Sequence, residues 1–192
     1  MTLTPRAEAA PALEPDLGLH EQPRGGIVAI RGPLPAESRA AFLSFLLGAK
    51  RAAYAGQDDA ATVAPLLPGS KQLEYRDGDY SYRDVYFGIT YFVGQEVVAY
   101  RQRAVWSMSY AGGVTPLSRE SSETRAIYAF LRLALRHGSV EGPYRGPARF
   151  SEDPFAYTNA STGELDAFWG LEQITRSGEK VYELRYAGGF LG

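Results

Sequence analysis

The stretch Phe92-Val-Gly-Gln-Glu-Val-Val-Ala-Tyr-Arg-Gln-Arg-Ala-Val-Trp-Ser-Met-Ser-Tyr-Ala-Gly-Gly-Val114 has a counterpart further along the chain. At an offset of 76 residues and without a gap, Phe92 corresponds to Phe168 and Glu96 corresponds to Glu172. The ending Tyr-Ala-Gly-Gly recurs at residues 186–189. Self-similarity at a fixed offset is typical of a repeated structural unit, and a single repetition predicts a pseudo-dimer within one chain rather than a stacked array.

The order of the predicted elements indicates the fold class. Apolar residues at helical spacing predict an amphipathic helix from residue 35 to about residue 54, and a second helix that begins near Ser118, Ser121 or Ser122. Strand-like segments follow each helix, and Asp77-Gly78 is a strong hairpin signal between the first of them. We therefore predict an internally duplicated α+β fold. Each half is expected to be one helix followed by an antiparallel meander of three to four strands, with the helix packed on the sheet.

The predicted domain organisation is a tail and one body. Residues 1–24 are rich in Pro, Ala and Glu and have no hydrophobic period, which predicts a disordered tail. Residues 25–192 are predicted to form a single domain of two pseudo-repeats, at about residues 35–114 and 117–190. A short β-prone run at residues 27–30 predicts an edge strand.

Composition limits the classes of partner. The net charge of −2 gives no general attraction to nucleic acid or to an anionic membrane. The absence of cysteine excludes disulfides and thiolate catalysis. The chain begins without an apolar signal region and contains no run of about 18 apolar residues. We therefore expect a cytoplasmic protein with no direct nucleic-acid partner and no membrane partner.

Side-chain alternation predicts which faces of the strands point inward. Trp106, Met108 and Tyr110 share one face of their strand, and the counterpart strand places Tyr182, Leu184 and Tyr186 in the same way. Because these faces carry the large apolar side chains, we expect them to face the core. Trp106, Tyr110, Tyr182 and Tyr186 are then either core residues or the lining of a cavity.

The same alternation places two carboxylates inside. Glu96 shares a face with Phe92 and Gly94, and Glu172 shares a face with Phe168 and Gly170. A buried carboxylate needs a partner or neutralises through a raised pKa. Three roles stay open for this pair: structural carboxylates held by other groups, ligand-binding groups, or a general acid and base. The glycines leave room for another side chain or for a ligand.

Several functional motifs are missing from the sequence. The only histidines are His20, in the predicted tail, and His137, at a predicted helix end, which is a poor basis for a catalytic triad or a metal site. No dinucleotide fingerprint and no phosphate-binding P-loop occurs. We therefore assign no catalytic residue, no metal ligand and no cofactor.

Several segments carry a family resemblance. They are Phe45 and Ala49-Lys50 with Tyr54-Ala55-Gly56, Gly78-Asp79-Tyr80-Ser81-Tyr82-Arg83-Asp84 with Tyr86-Phe87-Gly88, Phe92-Val93-Gly94-Gln95-Glu96, Val105-Trp106-Ser107-Met108-Ser109-Tyr110 and Pro143-Tyr144-Arg145-Gly146-Pro147. Together they resemble a bacterial domain family of unknown function whose members are often fused to, or found beside, helix-turn-helix regulators of the XRE type. The resemblance covers roughly residues 38–190 and implies no established activity. The short, Pro-rich N-terminus has no room for a helix-turn-helix, so direct DNA binding is not expected.

The functional expectation is a non-enzymatic small-ligand-binding or sensor module of a bacterial protein. Its ligand would occupy a cleft between the duplicated halves. Two alternatives stay open: a hydrolase that uses the paired carboxylates, and a protein–protein interaction module. The expected partners are an unidentified small molecule and either a second copy of the chain or a regulator protein. The candidate ligand-binding residues are Glu96, Glu172, Trp106, Tyr110, Tyr182 and Tyr186.

Overall fold

A computed structural model describes residues 36–54, 62–115 and 121–192 of the chain. These residues form two helices, α1 (Ala36–Tyr54) and α2 (Ser121–Arg136), and nine strands. The predicted tail at residues 1–24 and the predicted edge strand at residues 27–30 lie outside the described residues. The strands are β1 (Thr62–Val63), β2 (Lys71–Asp77), β3 (Tyr80–Gly88), β4 (Tyr91–Tyr100), β5 (Arg103–Val114), β6 (Arg149–Glu152), β7 (Phe155–Glu164), β8 (Ala167–Arg176) and β9 (Glu179–Phe190).

All nine strands of this described part belong to one antiparallel sheet, in the order β1-β2-β3-β4-β5-β9-β8-β7-β6. The central pair is β5 and β9, whose register runs from Trp106 opposite Phe190 to Val114 opposite Tyr182. The predicted internally duplicated α+β fold, with a helix on each of two meanders, is therefore wrong. The last strand of each predicted meander, β5 or β9, pairs with its own predecessor on one side and with the other of these two strands on the other side, so that its outer backbone edge is satisfied. The fold is one large antiparallel sheet that carries two helices.

The hairpin turns follow local backbone chemistry. The Asp-Gly signal correctly predicts a hairpin between β2 and β3, but its turn residues are Gly78, with a φ of 56°, and Asp79, because Asp77 still pairs with Tyr80. The turn between β4 and β5 consists of Arg101 and Gln102, which have φ values of 48° and 66°. Left-handed backbone is unusual for such residues. Here Arg101 is held by Asp79, which accepts a hydrogen bond from its Nε at 2.8 Å.

Both helices cover the same face of the sheet. In α1, Phe42 lies against Trp106, with ring centroids 6.1 Å apart. In α2, Phe130 stacks on Phe155 at 5.1 Å. The inward faces predicted for β5 and β9 are confirmed, since all of these side chains are buried: Trp106, Met108, Tyr110, Tyr182, Leu184 and Tyr186.

Candidate functional site

Glu172 lies on β8 and is fully buried. Arg145, from the loop between α2 and β6, binds its carboxylate through two hydrogen bonds, with Nε donating to Oε2 at 3.0 Å and Nη2 donating to Oε1 at 2.9 Å. Tyr157 and Tyr182 donate their hydroxyls to the same carboxylate, at 2.7 and 2.9 Å. We call these four residues the Arg145–Glu172 cluster. Bidentate, charge-assisted bonds of this kind are among the strongest in proteins.

The tyrosines of this cluster are held in their neutral form. Burial raises the pKa of Tyr157 and Tyr182, and the neighbouring negative charge of Glu172 raises both further. The backbone N–H of Gly146 donates to the Tyr157 hydroxyl at 3.0 Å, so that oxygen both accepts and donates. The cluster therefore satisfies its buried polar atoms from within the protein.

Glu96 on β4 is also fully buried, but its cation comes from a helix. Lys50 of α1 places Nζ at 2.6 Å from Glu96 Oε2, and we call these residues the Lys50–Glu96 pair. The same Nζ donates to the backbone carbonyl of Tyr144 at 2.6 Å. Burial lowers the pKa of Lys50; Glu96 acts in the opposite direction, and the positive charge of Arg145 lowers it again.

A third buried acid links the two glutamate sites. Asp84 on β3 is directly opposite Glu96 in the sheet and is fully buried. Tyr110 donates its hydroxyl to Asp84 Oδ1 at 2.7 Å, and burial followed by the charge of Asp84 strongly raises the pKa of that tyrosine. The guanidinium carbon of Arg145 lies 5.9 Å from the centre of the Tyr110 ring, within cation–π range. The buried charges thus form one connected network.

The glycines beside the glutamates leave no vacant space. A Cβ added at Gly94 would overlap the ring of Tyr110, which lies directly opposite on β5. A Cβ added at Gly170 would overlap the ring of Tyr186 in the same way. The sequence leaves open whether another side chain or a ligand occupies the room beside each glycine. In the structure a tyrosine from the neighbouring strand occupies it.

A cavity of about 370 Å³ lies between the helices and the sheet, next to this network. The volume falls within the range of roughly 300–1,000 Å³ that is common for small-molecule sites. Helix α2 supplies one wall and strands β2 to β5 supply the other, while Arg145 and Tyr110 connect the cavity to the buried charges. The lining residues are Ala53, Lys71, Leu73, Tyr86, Gly88, Ile89, Phe92, Tyr110, Tyr128, Leu131, Arg132, Leu135 and Arg145.

The structure brings only one of the predicted site residues into this cavity, namely Tyr110. Glu96 and Glu172 lie behind its lining, in the buried network. Trp106 and Tyr182 are fully buried in the core. The remaining candidate, Tyr186, donates its hydroxyl to Asn159 Oδ1 at 2.7 Å.

Sequence reasoning missed the cations of the site. Lys50 stands on the inward side of a helix, a position that periodicity reserves for apolar side chains. Arg145 lies in a Pro-flanked loop, which has no periodicity to mark it as buried, although only 3% of its side chain is exposed. A usable signal was available: two inward carboxylates require inward cations. The cavity itself left no signal, because its walls come from six separate segments of the chain.

Residues 84–191 match the family described as Domain of unknown function (DUF5680). The match covers more than half of the chain, so this protein belongs to that family. It includes the whole Arg145–Glu172 cluster, whereas Lys50 precedes it. The predicted resemblance to a domain family of unknown function is thus confirmed.

No curated protein matches this chain, and no solved structure matches it. Neither described helix is long and apolar enough to cross a membrane. Across residues 36–54, 62–115 and 121–192, no group of three or more His, Cys, Asp or Glu residues is arranged to hold a metal ion.

Proposed function

We propose that this protein is a non-enzymatic binding module that takes a small, largely apolar molecule into the cavity between the helices and the sheet. The observation that carries the proposal is the cavity itself: about 370 Å³, with walls supplied by both helices and by the sheet. Apolar side chains dominate these walls, among them Leu73, Phe92, Leu131 and Leu135. Concave, mostly apolar sites with a few fixed polar groups are the usual form of small-molecule sites.

Three polar side chains of the cavity, those of Tyr110, Tyr128 and Arg145, are hydrogen-bonded within the protein before any ligand arrives. The hydroxyl of Tyr110 is bound to Asp84, and Arg145 is bound to Glu172. Tyr128, on the helical wall, shares its hydroxyl proton between the carbonyl oxygens of Ile89 and Thr90, at 2.7 and 3.0 Å. This contact ties α2 to the turn between β3 and β4. A site whose side chains are already ordered loses less conformational entropy on binding.

The positions of the two glutamates support binding rather than catalysis. Glu96 and Glu172 are fully buried, each is bonded to a cation, and neither lines the cavity. A general acid or base must lie within hydrogen-bond reach of the reacting group. The proposal therefore gives these carboxylates the task of holding Lys50 and Arg145 in place.

A sensor role belongs to the same proposal. Its support is the sequence resemblance to domains that are fused to, or found beside, helix-turn-helix regulators. In that arrangement the bound ligand would change an interaction with a regulator protein, and the module itself would not contact DNA.

The experiment fills the cavity with a larger side chain and measures whether a small apolar probe still binds. The probe is N-phenyl-1-naphthylamine, a neutral apolar fluorophore, titrated into the wild-type protein and into Ala53→Phe. Ala53 lines the cavity from α1, so its enlargement should weaken the binding of the probe at least tenfold. The matched control is Ala126→Phe, an exposed position on α2 outside the cavity, which should bind like the wild type.

Circular dichroism and thermal unfolding of both variants establish that they are folded. Equal binding by wild type and Ala53→Phe would show that the probe occupies another surface. Failure of the wild type to bind it, or any member of a library of small apolar compounds in a thermal-shift assay, would also contradict the proposal.

A further inference from the structure

The charged residues around the cavity point to the chemistry of its ligand. We infer that the cavity takes an organic anion, such as a carboxylate or sulfonate on an apolar body, with its charged end between Lys71 and Arg132. This inference rests on the proposed binding function and adds the charge and orientation of the ligand. Each formally charged residue that lines the cavity is a cation, and none of the lining residues is acidic.

Lys71 is held against the cavity wall. It begins β2 and lies directly opposite Tyr86 of β3 in the register of the sheet. Its ammonium lies 5.9 Å from the centre of the Tyr86 ring, which itself lines the cavity. A cation–π contact of this kind keeps the positive charge beside the ring. Because Lys71 is otherwise exposed, this charge lies at the rim rather than on the floor.

Arg132 reaches the rim from the opposite wall. On α2 it lies one residue after Leu131 and one helical turn after Tyr128, and both of these neighbours line the cavity. The arginine is exposed, so its guanidinium, like the ammonium of Lys71, lies at the rim. The rim thus carries a cation from the sheet and a cation from the helix.

These cations have no carboxylate of their own within the described part of the chain. Other exposed or half-exposed basic side chains there, among them Arg39, Arg83 and Arg176, form ion pairs, whereas Lys71 and Arg132 form none. Arg145 differs from both, since Glu172 balances its charge. Of the three cations that line the cavity, the two whose charge no ion pair balances are therefore at its rim, and the apolar walls lie deeper.

This separation of charge favours one ligand class. An anion with an apolar body would place its charged end at the rim, where it gains attraction from both cations, and its body against Phe92 and Leu135. A neutral analogue would gain only the apolar contacts. An ammonium analogue would be repelled at the rim. The attraction acts near water, so dissolved salt should weaken it.

The experiment compares two probes with the same aromatic body. N-phenyl-1-naphthylamine is neutral, and 8-anilinonaphthalene-1-sulfonate carries a sulfonate on that body. We expect the sulfonate to bind the wild type at least tenfold more tightly at low salt, and to lose most of this advantage at high salt. The double variant Lys71→Gln/Arg132→Gln should lose the advantage at all salt concentrations, because its affinity for the sulfonate should fall at least fivefold more than its affinity for the neutral probe.

The matched control is Arg103→Gln/Arg149→Gln, which removes two exposed cations outside the cavity and should keep the preference for the sulfonate. Displacement by decanoate, decanol and decylamine repeats the comparison on an aliphatic body, with decanoate expected to displace best. Equal affinity for the neutral and anionic probes, or a preference that survives loss of Lys71 and Arg132, would overturn the inference and leave the proposed function standing. Absence of binding by both probes would overturn the two together.

Discussion

The Lys50–Glu96 pair and the Arg145–Glu172 cluster solve the same problem in different ways. Each stabilises a fully buried carboxylate on the helix-covered face of the sheet. Glu172 receives two bonds from one guanidinium and two more from tyrosine hydroxyls, all from residues inside the family match. Glu96 receives an ammonium from α1, which lies before the matched residues.

The difference between the two cations indicates how helix α1 is attached to the sheet. A guanidinium stays charged at any pH that the fold survives and matches both carboxylate oxygens, whereas a buried ammonium contacts one oxygen and can lose its proton. The Arg145–Glu172 cluster is therefore a fixed part of the matched domain. The Lys50–Glu96 pair is a weaker attachment, through which α1 is joined to that domain.

The largest effect is expected from Arg145→Met. Glu172 would stay buried without its cation, and breaking a buried pair in this way costs about 3–5 kcal/mol of unfolding free energy. Chemical denaturation measures the loss. Arg149→Met, at an exposed position, should change stability by less than about 0.5 kcal/mol. A loss at Arg145 no larger than this control would remove the distinction between the two sites.

Lys50→Met should cost less, about 2–3 kcal/mol, because its ammonium makes one hydrogen bond to Glu96, whereas the guanidinium of Arg145 makes two to Glu172. The side chain of Lys50 is 11% exposed, against 3% for Arg145. The double variant Lys50→Met/Glu96→Gln should recover at least half of the loss, since no buried charge is left unpaired. A loss larger than that of Arg145→Met would reverse the ranking of the sites.

The glycines beside the two glutamates offer a matched pair of smaller changes. Gly94→Ala and Gly170→Ala should each cost about 1–3 kcal/mol, because the added methyl group overlaps the ring of Tyr110 or Tyr186. Gly142→Ala is the control, since a Cβ there meets no neighbour within 4 Å. Neutral behaviour of Gly94→Ala or Gly170→Ala in thermal unfolding would show that the ring above it moves aside freely.

The smallest expected effect is the change in unfolding free energy for each unit of pH in the alkaline range. The raised pKa values of Tyr157 and Tyr182 mean that above a pH of about 10 the unfolded chain loses protons that the folded chain keeps. Stability should therefore fall as pH rises, by up to about 1.4 kcal/mol per pH unit for each tyrosine. Denaturation at a series of pH values should show a shallower fall for Tyr157→Phe. An unchanged slope would contradict the assignment.

Lys50 should respond with the opposite sign. Its pKa is lowered in the folded state, so in the window between that pKa and the unfolded value of about 10.4 the unfolded chain holds more protons than the folded one. This group alone therefore makes stability rise with pH across the window. Lys50→Met should remove that rise, which is the pH signature that separates the pair from the cluster.

The sequence predicts which side chains point inward better than it predicts which strands pair with each other. Alternation along each strand correctly places Glu96, Glu172 and Trp106 inside, because successive side chains must point to opposite faces. It says nothing about which strand lies alongside, so the pairing of β5 with β9 was missed. That pairing depends on backbone edges, which look alike in every strand.

The candidate site is harder to predict for a related reason. Tyr110 is recognisable because it belongs to a regular strand. Arg145 lies in a loop and Lys71 at a strand end, where no period marks the direction of a side chain. These residues come together around the cavity only when the helices pack on the sheet. The lining therefore depends on the tertiary structure and cannot be read from local sequence patterns.

The central position of β9 has a consequence for biosynthesis. This strand follows all its sheet-mates in the chain yet completes the hydrogen bonding of both β5 and β8. Until β9 emerges from the ribosome, the edges of β5 and β8 that it will cover have no hydrogen-bond partners. Exposed strand edges of this kind promote aggregation. We expect the growing polypeptide to be a chaperone client until β9 is released.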